Sequence, residues 1–182
     1  MELIKGRLRT REKERGFSLL EVIVAAAVLT IGLLTVAMMF TTSLGMIKAS
    51  EEDSIARQEA QQMIEGIFAA RNTGGHPFSD FQSAAAPVSV PPVPGIFSDG
   101  YQPAKQAGPD GIMNTADDGP GYETGPDGRP LTNFERQVVF RAVLLPNLQV
   151  DPNTRQIEVS VRYRIGNLVR TYTQTTYIST YR

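Results

Sequence analysis

The chain has 182 residues, with 18 Lys and Arg against 19 Asp and Glu, so its net charge of −1 gives no bulk attraction to nucleic acid or anionic surfaces. That length suits one modest domain with an appendage. Cysteine is absent, which excludes disulfides, a thiol nucleophile and zinc–thiolate sites.

Residues 1–16 gather Lys5, Arg7, Arg9, Arg11, Lys13 and Arg15 against Glu2, Glu12 and Glu14, a basic flank of the inside-facing kind. Residues 17–40 follow as an apolar run broken by one ionisable residue, Glu21. As a helix these residues would span roughly 36 Å, enough to cross a hydrocarbon core of about 30 Å. The run is longer than the apolar region of an ordinary secretory signal. A carboxylate at mid-helix carries a penalty of about 2.5–3.5 kcal/mol, so Glu21 needs a compensating partner.

Residues 41–72 continue the helix in amphipathic form. Ala56, Ala60, Met63, Ile64, Ile67 and Phe68 recur at spacings of three and four, while Glu51, Glu52, Arg57, Glu59 and Glu65 fall mostly elsewhere. One helix is expected from about Ser18 to Arg71. Residues 73–133 are dense in Gly, Pro, Ser and Asp without a sustained period and are expected to be loop. Within them, Ala84 to Gly95 reads as an extended, polyproline-like connection. The single histidine, His76, lies in NTGGHPF and reads as a solvated loop residue.

Residues 134–182 predict an antiparallel sheet. Phe134 to Leu145 is one strand candidate, and Gln156 to Ile165 alternates cleanly, with Ile157, Val159, Val161, Tyr163 and Ile165 on one face. Gly166-Asn167 is a hairpin turn signal returning into Leu168 to Thr180, with Ile165 pairing Leu168 and Val161 opposite Tyr172. The expected fold class is α+β: a long N-terminal helix, apolar then amphipathic, packed on a small C-terminal antiparallel sheet.

Arg15 to Glu21, R-G-F-S-L-L-E, opens the apolar run, and here the chain resembles type IV prepilins and pseudopilins. Gly16, Phe17 and Glu21 stand where that family has its leader glycine, its methylated aromatic residue and its assembly glutamate. The resemblance implies that a prepilin peptidase cuts between Gly16 and Phe17 and methylates the new amine. It further implies an inner-membrane precursor with the leader cytoplasmic and the C-terminal region outside, joining other pilin subunits through its helix. Glu21 would then pair with the Phe17 amine, its own or a neighbour's, beside the positive end of the helix dipole.

Within that family, Thr30 to Leu34 and the Gln-rich helix around Arg57 to Gln62 look most like PilV-type minor pilins. The minor pseudopilins of type II secretion systems are close competitors. Met38 stands where many major pilins have a proline, and their disulfide-bounded loop is missing; both argue against a main structural subunit. No catalytic constellation is visible, so an enzyme is not expected. A plain membrane-anchored binding module is the alternative from another class.

The segment Gly108 to Gly128 contains GPDG twice and supplies Asp110, Asn114, Asp117, Asp118 and Asp127. Asp110, Asn114, Asp117 and Asp118 are candidate oxygen ligands for calcium, the one cofactor this chemistry suggests. The same dipeptides are turn formers that need no ion.

Overall fold

The computed structural model describes residues 16–180 apart from Ala86 and Val90. The basic flank before Gly16 therefore lies outside the described residues. The chain divides after Met46 into two compact units, which are taken in turn.

Helix α1 spans Leu19–Thr73 and belongs to both units. It matches the predicted helix to within two residues at each end and runs through Met38 without a break. In the first unit its surface is apolar and exposed on all sides, from Phe17 and Leu19 to Phe40 and Leu44. Its threonine hydroxyls bond the helix backbone. Thr30 Oγ1 donates to the Ala26 carbonyl at 2.7 Å, Thr35 to that of Ile31 at 2.9 Å, and Thr42 to that of Met38 at 3.0 Å. A hydroxyl bonded to its own helix backbone no longer needs water as an acceptor, which suits a hydrocarbon surrounding.

In the second unit the helix turns amphipathic and buries Ile55, Ala56, Glu59, Ala60, Met63, Ile64, Ile67 and Ala70. These residues pack on a four-stranded antiparallel meander: β1 (Gln102–Pro103), β2 (Phe134–Leu144), β3 (Val150–Ile165) and β4 (Leu168–Ser179), in that order across the sheet. Alternation decides which face meets the helix: Phe134, Val138 and Phe140 on β2 and Ile157, Val159, Val161 and Tyr163 on β3 are buried. The hairpin has the expected register, with Ile165 opposite Leu168 and Val161 opposite Tyr172. Gly166 takes φ 57°, the left-handed conformation that a type II′ turn needs at its first position.

Two expectations are corrected. The third strand begins six residues earlier than its clean alternation suggests, because Leu144 pairs with Val150 beyond an irregularity after Ala142, and Pro152 and Asn153 lie within that irregularity. The irregular region is also not a mere connection. Phe81, Phe97, Ala104, Ile112 and Leu131 from residues 73–133 are buried in the same core as the helix and sheet. Phe97 lies against Phe140 with ring centroids 4.9 Å apart, and a short 3-10 helix η1 (Phe78–Asp80) leads into the buried Phe81. There the buried Arg155 of β3 donates through Nη1 to Phe78 O at 2.9 Å and Phe81 O at 2.7 Å, and stacks on the Phe78 ring at 4.5 Å.

The helix is fixed laterally by polar contacts at its entry to the second unit. Tyr163 Oη donates to Asp53 Oδ1 at 3.0 Å, Arg57 pairs with Asp53 at 2.9 Å, and the Arg57 guanidinium lies 4.7 Å from the Tyr172 ring centroid. The hydrogen bonds from Arg57 and then Tyr163 hold the Asp53 carboxyl below its ordinary range.

The irregular region also approaches itself closely. A Cβ added at Gly95 would lie 1.8 Å from the Gln82 carbonyl oxygen. Backbone rather than a movable side chain blocks that space, so Gly95→Ala is expected to destabilise the chain by at least about 2 kcal/mol, read by urea denaturation of the solubilised protein.

Candidate functional site

The three residues of the N-terminal signature lie together at the start of α1. Gly16 and Phe17 precede the helix, Phe17 is 82% exposed, and a Cβ placed on Gly16 would meet no atom within 4 Å. The carbonyl of Ser18 opens the helix by accepting from Glu21 N at 2.9 Å and Val22 N at 3.2 Å. Glu21 thus occupies the first turn, where unsatisfied N–H groups and the helix dipole favour a carboxylate. Its side chain is exposed, as are the apolar residues around it.

Residues 11–37 match the prokaryotic N-terminal methylation motif. This prepilin motif supports a type IV pilin or pseudopilin class of protein and a structural rather than catalytic subunit. It implies processing by a peptidase and assembly with other pilin subunits, and it coincides with the one described helix long and apolar enough to cross a membrane. None of that apolar stretch is buried within the chain. No curated protein and no solved structure matches the chain.

In the acidic loop, three of the four candidate calcium ligands come together and one does not. Asn114 takes φ 67° and donates its N–H to Asp118 Oδ2 at 2.9 Å. The Thr115 hydroxyl lies 2.6 Å from Asp117 Oδ1 and 3.2 Å from Asp118 Oδ1; with one proton to give, it donates to the nearer Asp117. Burial raises the Asp118 carboxyl, opposed by the backbone donors of Asn114 and Thr115. The Oδ1 of Asn114 is buried without a hydrogen-bond partner among the described residues. Asp110 turns away: it accepts from Ile112 N at 2.8 Å and lies 3.9 Å from His76 Nε2. Among the described residues, no group of three or more His, Asp or Glu gathers as a metal-binding set.

A second cluster joins residues that the periodicity did not connect. Arg136 points inward from β2 and is fully buried. Its Nη1 lies 3.1 Å from Glu59 Oε2 on α1 and 2.9 Å from Glu123 Oε2 in the irregular region, and its Nη2 donates to the Lys105 carbonyl. The Glu123 oxygen is close enough for an ion pair, yet no N–H is aimed at it, and Arg136 Nε also has no acceptor among the described residues. Glu59 therefore sits on the buried face of α1 and not on the polar one where helical spacing put it. Burial, then a hydrogen bond with Glu123, pushes its carboxyl up to about 8, against the pull of Arg136.

Since the folded chain holds this proton more tightly than an unfolded chain with an ordinary value of 4.5, the stabilising contribution is complete below about pH 4.5. It is lost as pH rises through about 8. The sequence signal that could have found the cluster is Arg136 itself, a charge at an inward position of F-E-R-Q-V-V-F.

Removing Arg136 would leave two carboxyls facing each other without a cation. Arg136→Leu is expected to lower stability by about 3–5 kcal/mol, and a urea titration at pH 8 would measure it.

Proposed function

We propose that the chain is a minor pilin or pilin-like subunit, cut between Gly16 and Phe17 by a prepilin peptidase and incorporated into, or priming, a type IV pilus-type filament. The supporting observation is the methylation motif at residues 11–37 opening a helix whose apolar surface is wholly uncovered in the chain itself. Such a surface must be covered by lipid before assembly and by neighbouring helices after it. The exposed Gly16–Phe17 bond suits a peptidase that needs extended, accessible backbone. In this reading Glu21 pairs with the methylated Phe17 amine of a neighbouring subunit, because an unpaired carboxylate is costly in an apolar bundle. The unbroken helix at Met38 and the missing cysteines favour a minor over a major subunit, and the Gln-rich turn after the apolar half favours the PilV type over a minor pseudopilin of type II secretion.

Mass spectrometry of the mature chain is expected to find N-methylated Phe17 as its first residue; a chain still beginning at Met1 would overturn the reading. Glu21→Ala is expected to be cut normally but to enter filaments at least tenfold less often, counted by immunogold labelling or by filament shearing. Wild-type incorporation of that variant would remove the pairing role.

A second proposal concerns the acidic loop: Asp117, Asp118 and Asn114 Oδ1, with nearby carbonyls, form a calcium site without Asp110. The buried Asn114 Oδ1, without a partner among the described residues, and the Asp117 and Asp118 carboxyls gathered at the Thr115 hydroxyl support it. Calcium at a hundredfold its dissociation constant would add about 2.7 kcal/mol, a rise of several degrees in melting temperature over chelator that Asp117→Asn should abolish. Identical melting in calcium and chelator would leave the loop as turns alone.

A further inference from the structure

The three charged residues Glu59, Arg136 and Glu123 come from three different parts of the second unit: the helix, the sheet and the irregular region between them. Two carboxyls share one guanidinium. The charged side chains acting on Glu59 are those of Glu123 and Arg136, and Arg136 also acts on Asp118. The other contacts are neutral, namely the Lys105 carbonyl and the Met113 sulfur, 3.0 Å from Arg136 Nη1. Among the described residues, Arg136 is the cation that both carboxyls share.

Glu59 and Glu123 also border a cleft of about 400 Å³ between the helix and the loop, with Gln58, Gln62 and Gln106 among its walls. The pair is buried, but water can approach it from one side. A proton can exchange there without the fold opening.

We propose that Glu59, Glu123 and Arg136 form a proton-dependent clasp that holds the segment from Ala104 to Leu131 on the helix. In the closed state one proton lies between the two carboxyls, and Arg136 neutralises the single remaining negative charge. When hydroxide or a buffer base removes that proton through the cleft, the carboxyl–carboxylate hydrogen bond is lost and two carboxylates face one guanidinium. Glu123 then moves outward to be solvated, and the segment that carries it, including Asp117 and Asp118, loosens from the helix. The apolar residues Ile64, Ile67 and Val159 of the helix and sheet carry no proton to lose and stay packed. The clasp holds whether or not the loop binds calcium.

Hydrogen exchange with mass spectrometry on the detergent-solubilised full chain tests this, using protection factors corrected for intrinsic exchange between pH 6.5 and 9.5. Peptides within 104–131 are expected to lose protection about tenfold per pH unit above about pH 8, as one released proton requires, while peptides of the β3–β4 hairpin stay unchanged. Glu59→Gln keeps an N–H donor toward Glu123 and carries no proton to lose, so its 104–131 peptides should stay protected throughout. Wild-type protection that is flat to pH 9.5, or a Glu59→Gln chain that loosens as the wild type does, would overturn the clasp. Should that variant fail to fold, the Glu59 carboxyl carbon can be followed by NMR in the wild type. Titration near pH 8 supports the clasp, and titration in the ordinary carboxylate range overturns it.

Discussion

The second unit depends on one buried guanidinium. Arg136 stands at an inward position of the sheet, has no exposed surface, and meets a carboxyl group from the helix, another from the loop, and a loop carbonyl. Apolar contacts give the core most of its cohesion, but they are non-directional and would tolerate a sliding helix. A charge in a low-dielectric interior tolerates no such slack, since any displacement leaves it or a carboxylate unpaired. The helix register against the sheet is therefore set by Glu59, with Asp53 and Tyr163 fixing it again one and a half turns away.

The first unit follows the opposite logic. Its helix has no core of its own, and its apolar residues are exposed on every side. Its polar groups include threonines bonded to their own backbone and the single carboxylate Glu21 in the first turn. A segment of this kind is completed by its surroundings rather than by the rest of its chain. The methylation motif at residues 11–37, which implies membrane anchoring and assembly with other subunits, agrees with that.

What could be seen in the sequence was what is local in it. Gly16, Phe17 and Glu21 lie within one short stretch, and the hairpin through Gly166 has both its turn and its alternation in contiguous residues, so both were legible. Glu59 was not, because a glutamate among Glu51, Arg57 and Glu65 looks like one more residue of a polar face; only the distant Arg136 makes it an inward one. The buried phenylalanines Phe81 and Phe97 were missed for a related reason: irregular backbone has no period, so inward and outward positions leave no pattern. Among the candidate calcium ligands, Asp110 was grouped with Asp117 and Asp118 by composition, whereas its carboxylate closes a local turn toward Ile112.

The loop's burial has a kinetic consequence. The β3–β4 hairpin joins neighbours in sequence through a two-residue turn, and hairpins of that kind close within microseconds. Phe97 reaches its place beside Phe140, and Glu59 reaches Arg136, only after long stretches of chain have been drawn in, and such closures are slow. The order of assembly is thus sheet first and irregular region last. Until that last step the sheet presents Phe140 and Val138 to solvent, so a newly made chain passes through an interval in which its stickiest surface is open to other chains.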